Sequence, residues 1–479
     1  MITYRKLFIG GDWVVPAADG VYELNSASTE EPIGVVPAAN VDDADAAIAA
    51  ARQAFDDPHG WAYWPPHRRA EAIEELATEL ELRTQEMAVR VSGQNGMPIT
   101  IATQLEGGFP PTVLRYFAEL LRRSEFEVEQ PHMLGGTTTV RREPVGVVVA
   151  IAPWNFPQTL ASFKIAPALA AGCTVVLKPS PQTLLDSFLF AEAVAVTSIP
   201  PGVINIVPGG DDIGAYLVAH QDVDKVAFTG STAAGRRIAE TCGRLLRPVT
   251  LELGGKSAAV ILDDAALDLN TVGERLFESM LVNNGQTCYL CTRVLAPDNR
   301  YDEIVDIMAA FMSSLAVGDA LDPHTMIGPM ASAAHRDRVE QFIDKGRSEG
   351  ARVVVGGRPP ECNRGWFVTP TLFADVDNKS TIAQEEIFGP VLAVIRYRDV
   401  DDAVRIANDS RYGLGGTIWT SDPQRAKALA RQIRTGTVGI NRYLPDPSAP
   451  FGGIKDSGIG RELGPQSLDA YMNFKSIYA

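Results

Sequence analysis

Cysteine and histidine are both scarce in this chain of 479 residues, which contains five cysteines and six histidines. The low and odd number of cysteines favours a reducing compartment over a disulfide framework. The histidines show no pairing at helical spacing, and the cysteines lack the spacing of metal ligands. The sequence therefore predicts no metal site.

Long apolar runs are also absent. A membrane-spanning helix needs about 20 consecutive apolar residues, and the longest such run, at residues 145–153, is far shorter. The first residues lead into a turn at Gly10 and Gly11 rather than into the apolar segment of a signal peptide. We therefore expect a soluble, cytoplasmic protein without a membrane partner.

Basic residues are also few relative to acidic residues. The 43 lysines and arginines are outnumbered by 59 aspartates and glutamates, which gives a formal net charge of −16. A chain with this charge repels a phosphate backbone, which argues against nucleic acid as a partner. Its hydrophobic fraction of 46% is that of an ordinary globular protein. Its length fits two or three domains.

The order of the predicted elements indicates an α/β protein. Residues 1–121 are mainly helical after a short strand-rich opening, and residues 122–144 predict an exposed, extended ribbon. From residue 145 onwards, short apolar strands alternate with helices, which is the pattern of a parallel, doubly wound sheet. A second α/β unit begins near Gly254 and Gly255. The C-terminal tail looks extended, as is typical of a strand that pairs with another subunit.

Cys288 is the first candidate for chemistry. It follows a predicted helix at a turn that contains Gly285, where a thiol with a lowered pKa would be a nucleophile. The alternative is a small buried apolar residue. Cys291 completes the C-x-x-C spacing of a redox pair. Residues 289–295 look like a strand, however, on which residues three apart face opposite sides, and this disfavours the pair.

Glu252 and Asn155 each lie at the end of a predicted buried strand. Leucines on both sides of Glu252 should exclude water from its carboxylate and raise its pKa towards that of a general base. The alternative is a strand-end glutamate that faces solvent. Asn155 lies between Pro153 and Pro157 at the carboxyl end of a strand, where ligands bind in open α/β sheets. Its amide could stabilise an oxyanion, or the two prolines could simply form a tight turn.

A third candidate region lies between a strand and a helix at Gly230 and Ser231. Glycines and the free N–H groups at a helix start suit a phosphate. The segment has one glycine fewer than the G-x-G-x-x-G pattern, so it does not by itself identify a dinucleotide site. Lys178 follows another strand, from which it could reach a ribose or a phosphate.

Seven motifs in a single order resemble those of the aldehyde dehydrogenase superfamily, and the resemblance covers essentially the whole chain. They are PWNFP at 153–157, KPS at 178–180, FTGST at 228–232, LELGGK at 251–256, GQTC at 285–288, EEIFGP at 385–390 and PFGG at 450–453. The resemblance implies a Rossmann-like parallel-sheet cofactor domain, a second α/β catalytic domain and a small extended oligomerisation element. The corresponding residues are 1–121 with 145–255, then 256–456, and finally 122–144 with 457–479.

The same resemblance assigns roles to individual residues. Cys288 would attack an aldehyde, Asn155 and the backbone N–H of Cys288 would hold the oxyanion, and hydride would pass to NAD(P). Glu252 would then activate the water that hydrolyses the thioester. The implied cofactor contacts are Trp154, Lys178, Ser180, Gly230, Ser231, Glu386 and Phe388. The implied substrate tunnel consists of Phe156, Leu160, Phe163, Thr287, Tyr289 and Phe451. A homodimer or homotetramer is implied as well.

Two positions bear on specificity. Family members that prefer NAD usually carry a glutamate three residues after the lysine, whereas this chain has Pro181, so we expect NAD and leave NADP open. The apolar tunnel favours an aliphatic or aromatic aldehyde. Arg442 could instead anchor a carboxylate, so a semialdehyde dehydrogenase with the same mechanism is the alternative.

Three other functions remain to be weighed. Coenzyme A rather than water could take the acyl group, but the presence of Glu252 argues against it. A non-catalytic nucleotide-binding protein of the same fold is disfavoured because Cys288, Glu252 and Asn155 are all present. A cysteine hydrolase without a redox cofactor would need a histidine near these motifs, and there is none.

Overall fold

The computed structural model describes residues 1–358 and 364–479, so Cys362 lies outside the described residues. One of its sheets has eight strands, in the spatial order Gly458–Ile459, Val249–Glu252, Lys225–Thr229, Val147–Ile151, Thr174–Lys178, Ile204–Ile206, Leu7–Ile9 and Asp12–Val14. The five strands from Val249–Glu252 to Ile204–Ile206 are parallel. The remaining three strands lie at the two edges of the sheet, and each is antiparallel to its neighbour on the inner side. This arrangement confirms the predicted doubly wound sheet.

The central strands of this sheet are apolar because helices cover both faces. Val147 and Val149 of one strand join one apolar cluster, while Val148 and Ala150 join another, as the period of two in a strand requires. Both strand faces are therefore buried, which is why the sequence shows a continuous apolar run there. The flanking helices are Val41–Asp56, Pro157–Ala171, Leu185–Val194, Asp211–Ala219 and Thr232–Arg244.

The N-terminal helical region packs against helix Pro157–Ala171. Its elements are Trp61–Tyr63 (3-10), Pro66–Leu82, Thr84–Asn95, Ile99–Ala102, Thr103–Gly108 (π) and Phe109–Arg123. Helix Thr84–Asn95 ends where Gly96 adopts a left-handed conformation with φ of 79°. A side chain at Gly96 would place its Cβ 2.2 Å from the carbonyl oxygen of Pro329, so the close approach requires glycine.

A second sheet has seven strands, in the order Arg352–Val355, Thr371–Ala374, Val391–Tyr397, Arg293–Pro297, Ala258–Ile261, Gly416–Trp419 and Gly439–Ile440. All neighbouring strands in it are parallel except the first pair. The helices and 3-10 turns in this part of the chain are Leu269–Met280, Asn283–Gly285, Asp298–Arg300, Tyr301–Ser313, Ala333–Ser348, Thr381–Gln384, Val400–Asn408, Pro423–Ala430 and Lys455–Ser457. The short helix Gly464–Asp469 packs instead on helix Pro157–Ala171 and the tail strand Met472–Tyr478.

The strand predicted at residues 289–295 is wrong over its first half. The observed strand is Arg293–Pro297, and residues 289–292 form a loop. Tyr289 is buried because its ring stacks on the ring of Tyr443, with centroids 4.5 Å apart, and not because it lies in a sheet. Cys291 therefore lies in a loop that follows Cys288, and the alternation of faces along a strand does not separate the two thiols.

The ribbon and the C-terminal tail form a small sheet of their own. Its strands lie in the order Met472–Tyr478, Thr137–Pro144 and Glu127–Pro131, all antiparallel. The extended ribbon is thus confirmed, and the tail pairs along its whole length with this chain's own ribbon. Residues 457–479 were all expected to belong to the oligomerisation element. Strand Gly458–Ile459 pairs instead with the eight-stranded sheet.

A fourth, three-stranded sheet near the N-terminus contains Ile2–Thr3, Pro32–Pro37 and Val21–Asn25. Across residues 1–358 and 364–479, no helix has both the length and the apolar character needed to cross a membrane.

Candidate active site

A cavity of about 210 Å³, here called the central cavity, lies at the carboxyl ends of the parallel strands of the eight-stranded sheet. The loops that follow strands Val147–Ile151, Lys225–Thr229 and Val249–Glu252 meet there with segments of the second α/β unit. The lining residues are Pro153, Trp154, Asn155, Thr229, Gly230, Ser231, Leu253, Gly254, Cys288, His335, Arg338, Glu386 and Phe388. Seven of the predicted site residues are therefore brought together: Trp154, Asn155, Gly230, Ser231, Cys288, Glu386 and Phe388.

Cys288 reaches this cavity because the backbone turns sharply before it. Asn283, Asn284 and Gly285 have φ values of 54°, 61° and 78°, which only glycine and asparagine adopt at little cost. A Cβ at Gly285 would lie 2.2 Å from the carbonyl oxygen of Gly389. Among the four described cysteines, Cys288 alone is partly exposed.

The surroundings of Cys288 favour the protonated thiol. Burial raises the pKa of the Cys288 thiol, and the nearby carboxyl groups of Glu386 and Glu252 raise it further. A thiolate here would be formed only by transfer of the proton to a base. Gly255 packs directly on the loop that carries Cys288, since a Cβ at that position would lie 2.2 Å from the carbonyl oxygen of Cys288.

Asn155 faces the central cavity with its side-chain amide already oriented. Its Nδ2 donates one hydrogen bond to the carbonyl oxygen of Gln286, at 2.9 Å, and the side chain is buried. An amide nitrogen carries two hydrogens. The second hydrogen is therefore available to an oxygen atom bound in the cavity beside Cys288.

Glu252 is buried behind the cavity rather than on its wall. It is 3% exposed, so the solvent-facing alternative is wrong. Neither carboxyl oxygen has a hydrogen-bond partner among the described residues. Burial raises the pKa of Glu252 well above its usual value, and Glu462 raises it further, while Lys164 and Arg461 act in the opposite direction.

The charged neighbours of Glu252 were not found from the sequence. Lys164 Nζ lies 2.7 Å from Glu462 Oε1 in an ion pair that is buried on both sides. The same ammonium donates to Thr229 Oγ1 at 2.5 Å and to the carbonyl oxygen of Leu160 at 3.3 Å. The available signal was a single lysine in helix Pro157–Ala171, whose every residue is buried.

The aromatic rings of Trp154, Phe388 and His335 line the other side of the central cavity. The rings of Trp154 and Phe388 meet edge to face, with centroids 5.4 Å apart, and His335 lies 5.1 Å from Trp154. His335 Nε2 is 2.7 Å from the carbonyl oxygen of Phe388, and burial lowers the pKa of His335 to about 4, so the ring is neutral. His335 and Arg338 were not found from the sequence, because isolated residues on a helix show no pattern.

Glu386 is held against the loop that follows strand Val249–Glu252. Its Oε1 accepts a hydrogen bond from the N–H of Gly255 at 2.9 Å. A Cβ at Gly254 would lie 2.5 Å from Glu386 Oε2, so the two glycines allow this close approach. Burial raises the pKa of Glu386 to about 7, while the Gly255 N–H and Lys256 oppose that shift.

Lys178 lines a different cavity of about 190 Å³, here called the second cavity, together with Asp211 and Arg237. Burial lowers the pKa of Lys178 to about 8, and Asp211 and Asp212 oppose that shift. Ser180 lines neither cavity.

The start of helix Thr232–Arg244 separates the central cavity from the second cavity. Ser231 caps this helix by accepting from the N–H of Ala234 at 3.2 Å. The first-turn N–H groups have no partner within the helix and attract an anion. Two cavities on either side of a helix N-terminus fit the two halves and the pyrophosphate of a dinucleotide.

The predicted tunnel residues are all buried, and three of them lie together. Phe451 connects Phe163 and Tyr289, with ring centroids 6.5 Å and 6.4 Å away. Tyr443, which was not predicted from the sequence, extends this row by stacking on Tyr289. Arg442 is paired with Glu278 at 3.3 Å and is 52% exposed. The other predicted members, Phe156, Leu160 and Thr287, are buried as well.

The fold and the cavities define a dinucleotide-dependent α/β enzyme with a thiol at its centre. The sequence model of the aldehyde dehydrogenase family matches residues 13–477. Geranial dehydrogenase of Castellaniella defragrans is 57% identical over 477 residues, which cover 100% of this chain and 99% of that protein. The chain therefore belongs to the aldehyde dehydrogenase family, and it is an NAD(P)-dependent aldehyde dehydrogenase.

Two solved structures show the same fold. An aldehyde dehydrogenase of Mycobacterium tuberculosis in complex with NAD+ has a TM-score of 0.96 and 46% identity, covering 100% of this chain and 98% of that one. Aldehyde dehydrogenase C of Pseudomonas syringae, a mutant in complex with NAD+ and octanal, has a TM-score of 0.94 and 38% identity, covering 99% and 96%.

Proposed function

We propose that the protein oxidises an apolar aliphatic or aromatic aldehyde to the carboxylic acid, with Cys288 as nucleophile, Asn155 as oxyanion donor and Glu252 as base. The observation that carries this proposal is the position of Cys288 and the free amide hydrogen of Asn155 on the wall of one cavity. A nucleophile and a preorganised donor in one water-poor site are what acyl chemistry requires.

In the first half of the proposed reaction, Cys288 Sγ forms a bond to the aldehyde carbon while the carbonyl π electrons move to oxygen. The thiol proton goes to the carboxylate of Glu252, whose charge already acts on the thiol. The Asn155 amide and the backbone N–H of Cys288 donate to the oxyanion. When NAD(P) is bound, it supplies the hydride acceptor, and Cys288 is left as a thioester.

Before the second half, Glu252 releases to solvent the proton that it took from the thiol. Glu252 then takes a proton from water, and the resulting hydroxide adds to the thioester carbon. The C–S bond breaks, the sulfur leaves with its electron pair and takes up the proton held by Glu252, and the acid is released. The raised pKa of Glu252 supports this role, because a base works best when its pKa is near the working pH. Because no described residue bonds to this carboxyl group, its lone pairs are available to a water molecule.

An apolar substrate is supported by the aromatic row of Phe163, Phe451 and Tyr289 and by the pairing of Arg442 with Glu278, which offsets the charge an anionic substrate would need. Geranial dehydrogenase, named for an apolar aldehyde, is 57% identical to this chain. A semialdehyde remains the second candidate, because the guanidinium of Arg442 is half exposed and could exchange partners.

NAD+ is the proposed cofactor, and NADP+ is the second candidate. Asp211 in the second cavity disfavours a further phosphate group near it, which supports NAD+. Arg237 in the same cavity, together with Pro181 in place of a glutamate, supports NADP+. Both neighbouring structures described above contain NAD+.

A homodimer or homotetramer and a cytoplasmic location complete the proposal. Apolar side chains of the small sheet and its connecting turn, such as Met133, Leu134 and Phe474, are exposed, which supports burial against another copy. The four described cysteines are free thiols, which supports a reducing compartment.

The test is the formation of reduced nicotinamide, followed by its absorbance, with geranial, octanal, benzaldehyde and succinic semialdehyde, and with NAD+ and NADP+ in parallel. We expect kcat/KM for octanal and geranial to exceed that for succinic semialdehyde by at least about tenfold, since a carboxylate entering an apolar tunnel loses its hydration. A preference for the semialdehyde would contradict the proposed substrate class.

Cys288→Ala and Cys291→Ser are the matched variants. Cys288→Ala should abolish turnover with every aldehyde, whereas Cys291→Ser should retain it, because Cys291 is buried away from the central cavity. Turnover in Cys288→Ala would exclude Cys288 as the nucleophile.

A further inference from the structure

Two buried asparagines that the proposed mechanism does not use hold the backbone of Asn155. Asn95 Nδ2 donates to the carbonyl oxygens of Trp154, at 3.0 Å, and of Asn155, at 3.2 Å. Asn283 Nδ2 donates to the same Asn155 carbonyl at 2.9 Å. Both asparagine side chains are fully buried. The carbonyl of Asn155 therefore has two amide donors from two distant segments of the chain.

The need for such bonds follows from where Asn155 lies. Strand Val147–Ile151 ends before it, so the ladder of the sheet no longer holds the chain there. Pro153 and Pro157 on either side have no N–H to donate. The direction of the Asn155 side chain thus depends on the bonds that its own backbone and the neighbouring peptide make to other side chains.

Asn95 is itself held firmly. It is the last residue of helix Thr84–Asn95, and the left-handed Gly96 after it packs on Pro329. Its Oδ1 accepts from the N–H of Met97 at 3.0 Å, which leaves Nδ2 as the end that faces the two carbonyls. The amide therefore connects the end of a packed helix to the loop that carries Asn155.

We propose that Asn95 is a positioning residue for the aldehyde oxidation. By fixing the peptides on either side of the Asn155 Cα, it directs the free Nδ2 hydrogen of Asn155 towards the oxygen of the aldehyde bound at Cys288. The other hydrogen of that amide is fixed by the Gln286 carbonyl, so the side chain has one direction only. This inference rests on the proposed role of Asn155 as oxyanion donor.

The size of the effect follows from that role. Removal of one oxyanion donor lowers the rate by about 10² to 10³, and a misplacement of about 1 Å costs up to about 10². We therefore expect Asn95→Ala to lower the rate of the first turnover by about tenfold to a hundredfold. The loss should be smaller than the loss in Asn155→Ala, because the Asn155 amide is still present.

The experiment measures the rate constant of the first turnover of reduced nicotinamide with octanal, by stopped flow, in the single variants and in the Asn95→Ala, Asn155→Ala double variant. If Asn95 acts through Asn155, the substitution at Asn95 has little further effect once Asn155 is alanine. The dissociation constant of NAD+ is measured in parallel and should stay within about threefold of the wild-type value, because a positioning role changes kcat/KM without changing cofactor affinity.

Asn205→Ala is the matched control. Asn205 is also fully buried. Its Nδ2 donates to the carbonyl oxygens of Gly202 and Val175, and its Oδ1 accepts from the N–H of Gly10. It therefore makes the same kinds of bonds far from the central cavity. The folded control variant should keep the wild-type first-turnover rate, whatever its loss of thermal stability.

The outcomes are distinguishable. An unchanged rate in Asn155→Ala would overturn the proposed role of Asn155 and this inference with it. A slow Asn155→Ala with a fast Asn95→Ala, or equal losses at Asn95 in both backgrounds, would overturn only the positioning role of Asn95. If Asn95→Ala does not fold, Asn283→Ala removes the other donor on the Asn155 carbonyl, and the same pattern of losses is required of it.

Discussion

Glu252 is the residue of the site whose ionisation we expect to control the pH dependence of activity. Its two carboxyl oxygens are buried and have no hydrogen-bond partner within residues 1–358 and 364–479, and both burial and the neighbouring Glu462 raise its pKa. A carboxyl group with a raised pKa keeps its proton to higher pH than usual, and it acts as a base only above that pKa. Activity that needs the base form should therefore increase with pH as Glu252 ionises.

Glu252→Gln should remove this increase. We expect kcat to fall by about 10² to 10⁴, because general-base catalysis contributes that much, and the acidic limb of the pH profile of kcat to disappear. Glu240→Gln, a change at an exposed position on helix Thr232–Arg244, serves as the control and should leave the profile unaltered. A normal acidic limb in Glu252→Gln would assign that ionisation to another group.

Glu462→Gln tests the cause of the shift. The substitution removes the negative charge that raises the pKa of Glu252 and leaves Lys164 without its partner, so both effects lower that pKa. The acidic limb should move to lower pH. Melting temperature should also fall, since breaking a buried ion pair costs about 3–5 kcal/mol. Glu79→Gln, which breaks the more exposed pair with Arg83, should change neither property appreciably.

At the scale of single elements, helix Pro157–Ala171 carries much of the site. It begins directly after Asn155 and Phe156, and it contains Leu160, Phe163 and Lys164. The first N–H groups of a helix need acceptors from outside. Here a side chain from the π-helix Thr103–Gly108 supplies them, because Glu106 accepts from the N–H groups of Gln158, at 2.7 Å, and Thr159, at 3.3 Å.

Glu106→Gln should destabilise the start of this helix. A glutamine can accept with only one of its two terminal atoms, so at least one buried N–H group loses its acceptor at a cost of about 1–3 kcal/mol. We expect a lower melting temperature, measured by differential scanning calorimetry. Glu274→Gln, at an exposed position on helix Leu269–Met280, should leave the melting temperature within experimental error. Equal melting temperatures for the two variants would exclude a capping role for Glu106.

At the scale of the whole molecule, the small three-stranded sheet stands out by its exposed apolar side chains. Met133 and Leu134, in the turn between strands Glu127–Pro131 and Thr137–Pro144, are 99% and 91% exposed. Phe474, Ile477 and Tyr478 on the tail strand are exposed as well. Such a concentration of apolar surface is typical of an interface between subunits.

Leu134→Asp should therefore weaken the proposed oligomer. We expect a shift towards smaller species in size-exclusion chromatography with light scattering, because a carboxylate buried at an interface loses its hydration. Leu246→Asp is the matched control, since Leu246 is also 91% exposed and lies outside the small sheet. If both variants keep the wild-type mass, the turn at Leu134 is not part of the interface.

Local patterns predicted most of the elements. The extended ribbon expected at residues 122–144 is observed as strands Glu127–Pro131 and Thr137–Pro144, and the alternation expected from residue 145 begins with strand Val147–Ile151 and helix Pro157–Ala171. The failure at residues 289–292 has a physical reason. Apolar periodicity reports that Tyr289 is buried, but it does not report whether a sheet or the ring of Tyr443 buries it.

By itself, the sequence determined the order of the elements, the parallel sheets and the family, because apolar periodicity and motif spacing are local properties of the chain. It also named Cys288, Asn155 and Glu252 as candidates. Only the tertiary structure decided that Lys164 meets Glu462, 298 residues away, and that Asn95 meets Asn155. Each buried polar group needs a partner, but long-range packing selects that partner, and no local pattern encodes the choice.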